Sequence, residues 1–60
     1  MKIIDKRTKI FVCDVPLNNN GDIESILKFS DIAIDDCGQL YDEINQRYIN
    51  AYYTDLIIVD

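Results

Sequence analysis

Histidine is missing from this chain altogether, and so is tryptophan. Without histidine, the usual general base near neutral pH and the commonest transition-metal ligand are both gone. A Ser-His-Asp or Cys-His nucleophile is excluded within one chain. The two cysteines, Cys13 and Cys37, do not complete a structural zinc site by themselves. Glycine is scarce: Gly21 and Gly38 form neither a G-x-G-x-x-G nor a G-x-x-x-x-G-K phosphate loop. No apolar run exceeds four residues, against the ~20 that a membrane-spanning helix needs. Met1 leads directly into Lys-Ile-Ile-Asp, with no apolar leader, so the expected setting is the cytoplasm, where thiols stay reduced. Cys13, in an apolar stretch, reads as a small core hydrophobe, and Cys37, in a turn, as an exposed free thiol.

What the chain does have is an uneven charge distribution. In the first nine residues four cations, Lys2, Lys6, Arg7 and Lys9, face one acid, Asp5, for a net +3. The other 51 residues carry ten acids against Lys28 and Arg47, for a net −8. An anionic body with a cationic edge repels nucleic acid and anionic membrane and attracts basic protein surfaces. The four cations near the N-terminus read as a solvated edge that guards a strand, not as a nucleic-acid site.

Sixty residues make a single small acidic domain, spanning 1–60. With 48% hydrophobic residues the chain folds rather than staying disordered. A chain of this size buries only about 60% of its unfolded surface, so its stability margin is thin.

Local patterns place the elements. Lys2–Ile4 and Lys9–Cys13 read as strands, with Lys6-Arg7 at the reversal. Pro16 and Asn18-Asn19-Asn20-Gly21 mark a loop. Asp22 reads as an N-cap, and Ile23, Ile26 and Leu27 form one helical face that ends near Ser30. Glu24 suits the positive end of that helix and lies four residues before Lys28. Asp31–Ile34 alternates as a half-buried strand. Asp35-Asp36-Cys37-Gly38 fits a type I hairpin turn with glycine in the left-handed position. Gln39–Tyr41, Arg47–Tyr53 and Leu56–Val59 supply further strands. A rival reading makes Gln39–Tyr53 one helix, since Leu40, Ile44, Tyr48 and Tyr52 recur every four residues. We favour the hairpin, because the β-branched and tyrosine residues after Arg47 suit strands. The expected fold is α+β: a small antiparallel sheet of three to five strands with one short helix packed on it.

Ile10–Cys13 and Leu56–Val59 are apolar on both faces, and one helix covers only one side of a sheet. Burial of an isoleucine or leucine is worth roughly 1.5–3 kcal/mol. A second copy of the chain is the expected cover, making a homodimer.

The chemistry left open lies in the carboxylates. An EF-hand loop with Gly38 at its sixth position would begin at Ala33 and end at Ile44, and neither is a ligand. No catalytic residue, metal site or cofactor is expected, and the protein is read as non-enzymatic. Asp31–Glu43 carries five acids and no base, and Tyr41 sits beside Asp42. Carboxylates interleaved with tyrosine suit docking on an Arg/Lys-rich surface. The candidate partner-binding residues are Asp35, Asp36, Tyr41, Asp42 and Glu43, which the hairpin is expected to bring together.

In size and charge the chain is similar to small inhibitors encoded by phages and mobile elements. Some of those present carboxylates at phosphate-like spacing to block a nucleic-acid-binding enzyme. The likeness is one of composition and carries over no residue roles. The expected function is a protein–protein interaction module, an inhibitor that docks on a basic protein. The alternatives are a self-assembling accessory subunit and a small-cation site.

Overall fold

A computed structural model of the chain describes residues 1–16 and 21–60. Its elements run β1 (Lys2–Asp5), β2 (Phe11–Asp14), α1 (Ile23–Phe29), β3 (Ile32–Ile34), β4 (Gln39–Asp42), β5 (Arg47–Tyr52), a 3-10 turn (Tyr53–Asp55) and β6 (Leu56–Val59). The expected loop at Asn18–Asn20 lies outside the described residues. The architecture is α+β, as the sequence pattern implies.

The strands divide into two antiparallel sheets rather than one. The first has the order β2-β1-β6, the second β3-β4-β5. The 3-10 turn stands at the division. The Tyr53 N–H donates to the Gly38 carbonyl at 2.7 Å, which prolongs the β4–β5 pairing by one step before the chain leaves sheet two. β6 then pairs with β1 in unbroken register, from Lys2↔Val59 to Asp5↔Leu56.

Helix α1 forms as its sequence dictates. The Asp22 carboxylate accepts the Ser25 N–H at 2.9 Å, and Glu24 lies in the first turn. Seven residues make a marginal helix alone, so its stability comes from packing. Ile26 and Leu27 are fully buried in a cluster with Ile3 and Leu56 from sheet one and Ile32, Leu40 and Ala51 from sheet two. Ser30 caps the helix, and Asp31 takes a left-handed φ of 60°, so β3 starts one residue later than the pattern suggests.

Three hairpins share one device. Each opens on an aspartate whose carboxylate accepts backbone N–H groups of the turn, and each closes on a residue with positive φ. Asp5 Oδ1 accepts from Arg7 at 2.8 Å and Thr8 at 3.1 Å, and Lys9 has φ 67°. Asp35 Oδ1 accepts from Cys37 and Gln39, both at 2.9 Å, and Gly38 has φ 86°. Asp42 Oδ1 accepts from Ile44 at 3.0 Å and Asn45 at 3.2 Å, and Gln46 has φ 55°. The last turn is why Gln39–Tyr53 is not a helix: it satisfies the N–H groups locally and reverses the chain.

Candidate functional site

The five candidate residues belong to sheet two and its turns, but the register does not bring them together. Ile34 opposes Leu40, beside the Asp35–Gly38 turn, whereas Asp42 opposes Ile32 at the far end of β4. At ~3.4 Å per residue β4 holds the two acidic pairs about 10 Å apart along the strand. The expectation that the hairpin gathers all four acids is therefore corrected. A hairpin joins residues at equal distances from its turn, and Asp42 is too far along the return strand to meet Asp35.

Two of the acids are also occupied. Asp35 holds its own turn, as described above. Asp42 does the same and in addition accepts the Asn45 side-chain amide through Oδ2 at 2.7 Å. Asn45 Nδ2 and the Asn45 N–H outweigh partial burial; with the Ile44 N–H and the Arg47 charge they hold the Asp42 carboxyl below its usual range. Asp36 and Glu43 remain exposed, one at each end of β4.

Tyr41 has a partner that sequence spacing alone did not single out. Its ring meets Tyr48 edge to face, with centroids 5.0 Å apart and planes at 76°. The register row Ala33–Tyr41–Tyr48 runs across all three strands of sheet two. It occupies the face away from the core, and Tyr48 is 56% exposed.

The Glu43 end of β4 gathers groups from distant parts of the chain. The Glu43 N–H donates to the Asp31 carbonyl at 3.0 Å, which joins the β4–β5 turn to the end of α1. That bond carries Phe29 and Ile44 to the same end, where they are 75% and 70% exposed. Glu24, Lys28 and Glu43, with Ile32, Ala33 and Ile34, line an open cleft of about 300 Å³ between the helix and β3. Helical spacing puts Glu24 and Lys28 on one face, but nothing local says which strand that face adjoins.

The cationic edge sits elsewhere. Lys6, Arg7 and Lys9 are exposed in the β1–β2 turn, with Arg7 Nε 3.8 Å from Asp55 Oδ2. An ion pair this exposed contributes little. Among the described residues no three Cys, Asp or Glu side chains come together as a metal-holding group, and no helix is long and apolar enough to cross a membrane. No protein-family model, curated protein or solved structure matches this chain.

Proposed function

We propose that this protein is a non-enzymatic interaction module that docks on a basic protein surface, acting as an inhibitor of a nucleic-acid-binding protein in the cytoplasm. The docking end carries Tyr41, Tyr48, Asp31, Glu43, Phe29 and Ile44. One observation carries the reading: an aromatic pair, half-buried Tyr41 with exposed Tyr48, on the solvent face of an anionic domain. Rigid tyrosines supply contact area at low entropic cost, and an arginine stacks on their faces. The carboxylates steer association and choose the partner. Of the sequence candidates, Tyr41 and Glu43 stay in this surface, and Asp36 lies at the opposite end of β4.

The test is capture from host lysate at low and high salt, with wild type beside Tyr48→Ala and Glu43→Gln. A basic protein retained by wild type, lost at high salt and lost with Tyr48→Ala supports the proposal. Capture indifferent to both substitutions and to salt rejects it.

A second reading, the self-assembling subunit, rests on sheet one. Phe11, Ile4 and Ile57 stand in one register row across β2, β1 and β6, outside the core cluster, with Phe11 54% exposed. Among the described residues this row, with Ile4 and Ile57 half-buried and Phe11 exposed, is the second face that the apolar segments imply.

A further inference from the structure

We propose that a basic partner adds an extended segment to the open edge of β3, as a fourth strand of sheet two in the cleft beside α1. This inference rests on the docking reading above and names how the partner is held. Among the described residues β3 is an edge strand, paired with β4 alone. Its ladder is marked at both ends, where the Glu43 N–H donates to the Asp31 carbonyl and the Asp35 N–H donates to the Gln39 carbonyl, each at 3.0 Å. Hydrogen-bonded positions alternate along an antiparallel strand. Asp31, Ala33 and Asp35 thus face β4 with their main-chain groups, and those of Ile32 and Ile34 face outward. Both residues line the cleft, while the Ile32 side chain is buried in the core. The edge therefore presents two N–H and two carbonyl groups, on a strand anchored through the buried Ile32 side chain. Main-chain pairing at such an edge gives affinity, and neighbouring side chains give selectivity.

The walls of the cleft name the occupant. Glu24 and Lys28 come from the helix and Glu43 from the β4–β5 turn, two carboxylates against one ammonium, so the lining carries a net negative charge. Exposed Asp31 adds to the negative side. A segment with arginine or lysine at alternate positions sets those side chains on one face, the face that suits the carboxylates lining the cleft, Glu24 and Glu43. A second copy of this chain is disfavoured here, because Asp31 and Asp35 flank β3 and would face their own kind across a shared edge. A three-residue edge bordered by charge also resists indiscriminate pairing.

The probe is a capped six-residue peptide alternating arginine and valine, titrated into the full chain and followed by amide NMR and hydrogen exchange. Shifts at Ile32, Ala33 and Ile34, with slowed exchange of the outward Ile32 and Ile34 amides, are expected. The 60-residue chain is within reach of chemical synthesis, so the Ile34 nitrogen can be methylated. That removes one outward donor and leaves the β3–β4 ladder intact, and binding should weaken about tenfold. Glu43→Gln should lower affinity at low salt only, and a peptide with glutamate in place of arginine should not bind. Unchanged affinity after methylation overturns strand addition. So does concentration-dependent protection of Ile32 and Ile34 without peptide, which would assign the edge to a second copy. Shifts centred on Tyr48 with unaltered exchange along β3 overturn the strand proposal but keep the docking surface. No shift anywhere at millimolar peptide counts against both.

Discussion

Tyr48 packs its ring against Tyr41 edge to face at 5.0 Å, on the side of sheet two that the core does not use. The contact joins β4 to β5. Such pairs contribute about 0.5–1.5 kcal/mol beyond area burial. Tyr48→Ala should therefore cost about 1 kcal/mol, or a fall in melting temperature of about 4–8 °C for a domain this small. Tyr41→Ala should show most of its loss through the same contact. A double-mutant cycle by urea denaturation measures the coupling. A coupling near zero would mean that the rings touch without contributing to stability.

Positive φ is distributed unevenly in cost among the turns. Gly38, at φ 86°, adopts it freely, and a Cβ there would meet nothing within 4 Å. Gly38→Ala should thus destabilise by backbone strain alone, by about 1–2 kcal/mol. Gln46 at φ 55° and Lys9 at φ 67° hold the same conformation with a side chain. Gln46→Gly and Lys9→Gly should each leave stability equal or raise it by up to about 1 kcal/mol, the relief of strain exceeding glycine's entropy cost. Chemical denaturation of the three variants decides it. A clear loss of stability in Gln46→Gly would mean that its side chain contributes more than its backbone conformation costs.

These turns also show what was legible in the sequence and what was not. Asp22 as N-cap, the Asp35–Gly38 turn and the strands on either side of it follow from local chemistry, since the partners lie within four residues. Lys9, Asp31 and Gln46 carry no such mark, because lysine and glutamine enter the left-handed region only when the surrounding turn compels them. The two-sheet division depends on β6 returning to β1 across the whole chain, a pairing on which local periodicity is silent. Asp5 reads in sequence as a lone acid among bases, yet it is 0% exposed once the turn closes over it. The site was half legible: Tyr41 and Glu43 were singled out by composition, while Asp31, Glu24 and Tyr48 reach the same end of the molecule only through tertiary pairing.

Three carboxyls make stability depend on acid. Burial pushes the Asp5 carboxyl up, but the Thr8 and Arg7 N–H groups, the Arg7 charge and the Tyr52 N–H together bring it below its usual value. The Ser25 N–H and then its hydroxyl lower Asp22, and Asn45 lowers Asp42. A carboxyl whose folded pKa is depressed adds stability above its unfolded pKa, about 3.9, and loses it as pH falls through the folded value. Urea midpoints should stay high between about pH 5 and 7 and drop steeply below about pH 4. Asp42→Asn keeps an acceptor for the turn and should flatten that drop. Asp5→Asn should instead be destabilising at pH 7, because it places amide donors where the buried Asp5 Oδ2 has no hydrogen-bond partner among the described residues. An unchanged midpoint from pH 7 to 3 would reject the account.

The two thiols should behave differently. Burial pushes the Cys13 thiol up, against the Ser30 hydroxyl, and the Asp14 charge adds to the rise. Cys37 is exposed in its turn. A disulfide reagent should titrate one thiol per native chain at once and the second only on unfolding. Cys37→Ser should leave the urea midpoint within about 0.5 kcal/mol, and Cys13→Ser should lower stability by about 1–3 kcal/mol. Prompt reaction of both thiols in the native protein would mean that β2 opens readily.

The Phe11–Ile4–Ile57 row leads to a specific geometry for self-association. One end of sheet one carries Lys6, Arg7 and Lys9, and the other carries Asp14 and Asp60 beside Lys2. Two copies stacked face to face about a two-fold axis along the strands would set cations on cations. An axis along the row itself reverses the strands, lays the cationic turn of one copy over Asp14 and Asp60 of the other, and puts Phe11 against Phe11. The face is about 14 Å on each side, about 200 Å², below the roughly 800 Å² per partner of a stable complex. Association should therefore be weak, in the high-micromolar range, and should weaken further as salt screens the ends. Light scattering across a concentration series should show mass rising above the 7.0 kDa monomer. Thermal stability should rise with it. Phe11→Ser should hold the chain at 7.0 kDa without unfolding it. A monomer at every concentration in wild type would leave this row as solvent-facing surface with no role in assembly.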